Sequence, residues 1–158
     1  TITREFALPL ELLFKAHHEP ELLEQWMGTK VLKLENKKHG SYIFETSHNG
    51  NVVFRANGTI HEFIPEQKII RTFEMENAKI GVQLEFLEFE KITDSTSRLT
   101  MQVIYRSVEH RAIQLKMPFE YGLNMAHNKL QEILSKKNNR VCQKEIKLSI
   151  GLQLSGYV

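Results

Sequence analysis

The spacing of apolar residues changes once along this chain, near Tyr105, and that change restricts the fold more than any other feature. Before it, apolar and polar residues alternate in short runs, the signature of half-buried strands. After it, apolar residues recur every three to four positions, the spacing of an amphipathic helix. A series of strands joined by tight turns makes an antiparallel meander. A long sheet of that kind must curl, and the helix that follows is the element available to fill its concave side.

The strand series is punctuated clearly. Ile2, Arg4, Phe6 and Leu8 alternate as a first strand. Pro9 suits the start of a helix whose apolar face is Leu10, Leu12, Leu13 and Phe14. His17-His18-Glu19-Pro20 interrupts it, Pro20 opens a second short helix through Trp26, and Gly28 stops that one. Val31, Leu32 and Leu34 mark the next strand, and Tyr42 and Phe44 the one after. Asn49-Gly50 is a tight hairpin, because both central residues of such a turn need positive φ. Val52–Ile64 is a long strand, and Asn57-Gly58 within it reads as a bulge rather than a turn. Pro65-Glu66-Gln67 turns the chain into the alternation Ile69, Arg71, Phe73, Met75. Val82, Leu84 and Phe86 define the inward side of the next strand. Asp94–Ser97 is a polar turn, and Leu99, Met101, Val103 and Tyr105 close the meander.

The helical run extends from about Val108 to Lys137, with Ile113, Met117, Tyr121, Met125 or Asn124, Leu130, Ile133 and Leu134 on its apolar stripe. Pro118 kinks this helix or marks its true beginning. Lys136-Lys137-Asn138-Asn139-Arg140 is expected to end it. Ile146, Leu148, Ile150, Leu152 and Leu154 then alternate like a strand. Such a strand pairs with a sheet edge of this chain or of a neighbour, the latter making a homodimer, or else the segment is disordered. The expected organisation is one α+β domain over 1–137 and a C-terminal extension over 138–158. The domain is an antiparallel sheet of six to seven strands curved around the long helix, with two short helices after the first strand.

Composition narrows the partners. With 158 residues and a net charge of +2, the chain shows no concentrated basic footprint for nucleic acid or an anionic membrane surface. No stretch approaches the ~20 apolar residues of a membrane helix. Cys142 is the only cysteine, and no N-terminal signal segment is legible, so a cytoplasmic location is expected. The chain begins at Thr1 rather than Met, and a few residues are expected to precede it.

Several motifs carry a resemblance. Ile2-Thr3-Arg4-Glu5-Phe6 precedes Leu8-Pro9-Leu10-Glu11-Leu12-Leu13-Phe14-Lys15-Ala16. Glu19-Pro20-Glu21-Leu22-Leu23-Glu24-Gln25-Trp26-Met27-Gly28 follows. Gly40-Ser41-Tyr42-Ile43-Phe44, then Gly58-Thr59-Ile60-His61-Glu62-Phe63-Ile64-Pro65-Glu66, then Gly122, Leu123, Leu130 and Leu134 complete the set. Together they resemble the START-like (SRPBCC) superfamily, in its branch related to the activator of heat shock protein 90 ATPase, over about residues 1–136. Leu123 stands where many relatives have tryptophan, and His127 where they have leucine. The resemblance implies a helix-grip fold with a cavity between sheet and long helix. It also implies either a carrier of small hydrophobic molecules or a co-chaperone-like module that binds protein.

The chemistry-bearing residues favour binding over turnover. There is no Gly-x-Ser-x-Gly, P-loop or Gly-x-Gly-x-x-Gly motif. His61-Glu62 lacks a second histidine at metal-ligand spacing, so neither a metal nor another cofactor is expected. Most of the seven histidines read as solvent-facing turn residues, and Glu85, Glu88 and Glu90 as strand surface. His127 is the exception, spaced with Leu123, Leu130 and Leu134 so as to face the core or cavity, where a backbone carbonyl would satisfy it. The candidate ligand-binding set is Trp26, Phe44, Phe54, Arg71, Phe73, Phe86, Met101, Met117, Tyr121, Met125 and His127. Most are apolar, with a few polar tips, as in small-molecule pockets generally.

Overall fold

The computed structural model describes residues 1–154 apart from Asn77, Lys79, Met117 and Pro118, and side-chain surroundings as far as Asn139 apart from Phe119 and Glu120. Seven strands form one antiparallel sheet: β1 (Ile2–Phe6), β2 (Lys30–Leu34), β3 (Ser41–His48), β4 (Asn51–Ile64), β5 (Lys68–Met75), β6 (Gln83–Lys91) and β7 (Ser97–Ile104). Their spatial order is β1-β7-β6-β5-β4-β3-β2, so β2 to β7 run as a meander and β1 joins its far edge. Helices α1 (Leu10–Ala16) and α2 (Pro20–Met27) lie between β1 and β2, and α3 (Val108–Lys116) and α4 (Phe119–Leu154) follow β7. No described helix is long and apolar enough to cross a membrane.

The local signals act as their chemistry requires. Pro20 occupies the first turn of α2, and Gly28 ends it in the left-handed conformation at φ +66°. Asn49 and Gly50 take φ +51° and +78° between paired residues His48 and Asn51, the geometry of a two-residue hairpin. The core joins Phe6, Leu13, Phe14 and Trp26 from the N-terminal third to Leu87, Phe89 and Leu99 of the sheet and to Leu130 and Leu134 of α4.

Three sequence expectations need correction. Asn57-Gly58 is not a bulge: Asn57 and Gly58 pair in register with Ile43 and Tyr42, and the irregularities of β4 lie elsewhere. Gly58 is needed for space instead. A Cβ there would lie 1.9 Å from the Thr72 carbonyl oxygen and 2.6 Å from the Tyr42 hydroxyl. The bare glycine lets Tyr42 of β3 reach across β4 and donate to the Thr72 carbonyl of β5 at 2.6 Å. Gly58→Ala is therefore expected to lower stability by about 1–3 kcal/mol, the usual cost of overpacking. A urea midpoint equal to wild type would show that the strands can separate freely there.

The second correction concerns the C-terminus. Lys136–Arg140 does not end the helix, and Ile146–Leu154 is not a strand; α4 continues through both. None of the residues from Lys136 to Leu154 is proline, and lysine, asparagine and arginine are compatible with a helix once it is nucleated. The third is the facing of β6. Gln83, Glu85, Leu87 and Phe89 point inward, whereas Leu84 and Phe86 are only partly buried on the other side. Pairing dictates this: Ile69, Arg71 and Phe73 of β5 sit opposite Leu87, Glu85 and Gln83.

Candidate functional site

Curling of the sheet leaves a cavity of about 450 Å³ between its concave side and the helices. Phe44 of β3, Phe54 of β4, Phe73 and Met75 of β5, Leu87 of β6, and Leu99 and Met101 of β7 form the sheet wall. Leu23, Trp26 and Met27 of α2, and Leu123, Ala126 and His127 of α4, form the opposite wall. Gly122 also lies at this wall, with nothing within 4 Å of a Cβ built on it.

A polar belt crosses the sheet wall. Arg71 donates from Nε to Glu85 Oε2 at 2.9 Å, and Gln83 Nε2 donates to Glu85 Oε1 at 2.9 Å. The Arg71 guanidinium also lies 5.1 Å from the centre of the Tyr42 ring, a cation–π contact. The Arg71 and Glu85 side chains are 15% and 3% exposed, so this is a buried pair whose charges balance. Burial, offset in part by Arg71, pushes the Tyr42 phenol up to about 12, and it stays protonated as the donor to Thr72.

Two histidines line the cavity. His17 caps the C-terminal end of α1, and its Nδ1 is 2.8 Å from the Leu13 carbonyl oxygen one turn earlier. A carbonyl can only accept, so the His17 proton sits on Nδ1. The ring packs against Trp26 and Phe89, with centres 5.2 and 5.1 Å away. Burial drives its pKa down to about 3 against the Leu13 hydrogen bond, with His127 and Arg71 adding to the depression. Its Nε2 is buried without a hydrogen-bond partner among the described residues. His127 packs edge-on to Phe6 at 5.4 Å and lies 6.0 Å from Trp26. Burial, with Arg4 as a lesser cause, lowers its pKa to about 4. The carbonyl expected for it is not found at Nδ1, which is buried and unpartnered among the described residues, as is Gln114 Oε1 of α3.

Of the residues nominated from sequence, the fold gathers Trp26, Phe44, Phe54, Arg71, Phe73, Met101 and His127 around the cavity. Phe86, Tyr121 and Met125 do not line it. Phe86 lies on the outer side of β6 for the reason of register given above. Tyr121 and Met125 are 70% and 54% exposed because the inward stripe of α4 is Leu123, His127, Leu130 and Leu134. Met125 precedes His127 by two residues, about 200° of helical rotation, and so faces away. Met117 lies outside the described residues. Sequence reasoning missed His17, Gln83, Glu85 and Gln114. For Glu85 a signal existed: an arginine in the middle of the inward run Ile69-Arg71-Phe73 requires a carboxylate on the neighbouring strand. Gln83 follows from the same register. For His17 the only cue was its position directly after an amphipathic helix that must dock, and Gln114 offered none.

Among the described residues no group of three or more His, Cys, Asp or Glu side chains is placed to hold a metal ion. What the site offers chemically is an apolar chamber with a charge-balanced belt on one wall and uncharged hydrogen-bonding atoms on the other.

Comparison with known proteins agrees with this architecture. A crystal structure of a Rhodobacter sphaeroides protein superposes with a TM-score of 0.77 at 22% identity, covering 85% of this chain and 90% of that one. A Mycobacterium smegmatis protein gives 0.74 at 21% identity, over 84% and 88% of the two chains. A Nitrosomonas europaea protein gives 0.74 at 22% identity, over 87% and 94%. At such identities the likeness is one of fold. No curated protein matches the chain. The family profile described as Activator of Hsp90 ATPase homolog 1-like protein matches residues 7–135. The helix-grip architecture and that match over most of the chain lead to one conclusion: this chain belongs to the Activator of Hsp90 ATPase homolog 1-like family.

Proposed function

We propose that this domain binds a small, largely apolar molecule in the cavity between the sheet and helices α2 and α4. The supporting observation is the chamber itself. Its 450 Å³ lies within the range of about 300–1,000 Å³ common to small-molecule sites, and aromatic and aliphatic side chains line most of it. Phe44, Phe54, Phe73 and Trp26 supply flat surfaces for a ring or chain, and Met27, Met75 and Met101 supply side chains that adapt to shape. Native mass spectrometry of the purified protein, followed by denaturing extraction, tests this. An apolar mass retained natively and released on denaturation is the expected result. If the protein is bare and a panel of apolar compounds fails to bind, the reading falls.

A second reading, a module that binds another protein, draws on exposed apolar side chains. Val108 and Leu115 of α3 and Tyr121 and Met125 of α4 are each more than half exposed. Retention of a heat-shock chaperone on the immobilised domain, lost when Leu115 and Tyr121 are both replaced by serine, would favour it over the cavity.

A further inference from the structure

Resting on the cavity reading, we propose that the polar end of the ligand is an uncharged hydrogen-bond donor, an alcohol or phenol hydroxyl, that donates to His17 Nε2. The tautomer of His17 carries the argument. Its Nδ1 hydrogen is committed to the Leu13 carbonyl at 2.8 Å, so Nε2 presents a lone pair. That atom is buried, lacks a partner among the described residues, and belongs to a residue that is 7% exposed and lines the chamber. Gln114, 5% exposed, adds a second unpartnered acceptor, Oε1, to the same chamber.

These acceptors select by exclusion. A carboxylate would set its own lone pairs against that of His17, and the cation on the opposite wall, Arg71, is already balanced by Glu85 at 2.9 Å. An ether or ester has no hydrogen to give. An ammonium group would face Arg71 without a free carboxylate among the described lining residues, since both Glu85 oxygens are taken by Arg71 and Gln83. A hydroxyl satisfies Nε2 and carries no charge into an apolar chamber. The ring's low basicity keeps this lone pair available throughout the neutral range.

Trp26 is the only tryptophan of the chain and lines the chamber, so its fluorescence reports occupancy. The probes are para-phenylphenol, its methyl ether and para-phenylbenzoate, titrated at neutral pH. The phenol is expected to bind about tenfold more tightly than the ether, the effect of one neutral hydrogen bond to an otherwise unpaired acceptor, and more tightly than the benzoate. In His17→Phe the advantage over the ether should vanish while ether binding persists. Equal binding of phenol and ether to the wild-type protein would overturn the donor assignment and leave the cavity reading standing. Tightest binding by the benzoate would also overturn it, assigning the polar end to Arg71. Silence from all three probes would count against both. Gln114→Leu separates the two acceptors if His17→Phe does not fold: a phenol advantage that persists in it supports His17, and one that vanishes moves the hydroxyl to Gln114 and overturns the assignment.

Discussion

Glu85→Gln is expected to destabilise the folded chain by about 3–5 kcal/mol, the range found when one member of a buried ion pair is removed. The substitution keeps the shape of the side chain and its bond from Gln83, but leaves the Arg71 guanidinium in an apolar wall without its counter-charge. Arg71 has no easy retreat: it is 15% exposed and held between Glu85 and the face of Tyr42. The double variant Arg71→Met, Glu85→Leu is expected to regain most of the loss, because it removes both desolvation costs together. Urea denaturation of wild type, Glu85→Gln and the double variant measures both effects. A loss below about 1 kcal/mol in the single variant would mean that water reaches the guanidinium through the cavity mouth, as at a surface pair.

The second large effect is acid destabilisation by two histidines. An unfolded histidine takes up a proton near pH 6.5. In the folded chain burial delays that uptake to about pH 4 at His127 and about pH 3 at His17. The unfolded state therefore binds more protons as pH falls below 6.5, and stability that is complete above that value is lost on the way down. At pH 5 each ring has cost about 2 kcal/mol relative to neutral pH, so the pair together costs on the order of 4 kcal/mol. Denaturation midpoints at pH 7 and pH 5 should show this loss in the wild type. They should differ far less in the double variant His17→Phe, His127→Leu. An equal loss in that variant would assign the acid sensitivity to other groups.

Both effects come from residues whose placement was unevenly legible in the sequence. The succession of strands in the meander, the two short helices and the long closing helix followed from alternation, Pro20, Gly28 and Asn49-Gly50, because each of those signals is local; the pairing of β1 with β7 is not, and was not read. Facing was harder where apolar residues occur on both sides of one strand. In β6, Leu84 and Phe86 compete with Leu87 and Phe89, and only pairing with β5 decides between them. The same holds for α4, where Tyr121 and Met125 compete with Leu123 and His127 for the inward stripe. Alternation over Ile146–Leu154 imitated a strand, yet α4 continues through it. His17 looked like a turn residue because its one cue, a place directly after an amphipathic helix, does not say that α1 buries its own C-terminal end. Buried polar atoms are set by tertiary packing, so the hydrogen-bonding side of the site was the least readable part.

The pairing of β1 with β7 bears on how the chain is made. Ile2 faces Met101 and Phe6 faces Ser97, so the first strand stays without its partner until almost the whole meander has been synthesised. At about 5–20 residues per second, the N-terminal segment waits roughly 5–20 s on the ribosome for that edge to exist. Phe6 and Leu8, both buried in the finished domain, are bare in that interval. Contacts separated by this much sequence also slow folding after release, since the loop they close is nearly two-thirds of the chain. The nascent chain is thus at its most adhesive before β7 emerges, and a ribosome-bound chain stalled before residue 97 should be far easier for proteases to cut than the whole chain held on the ribosome by an added C-terminal linker.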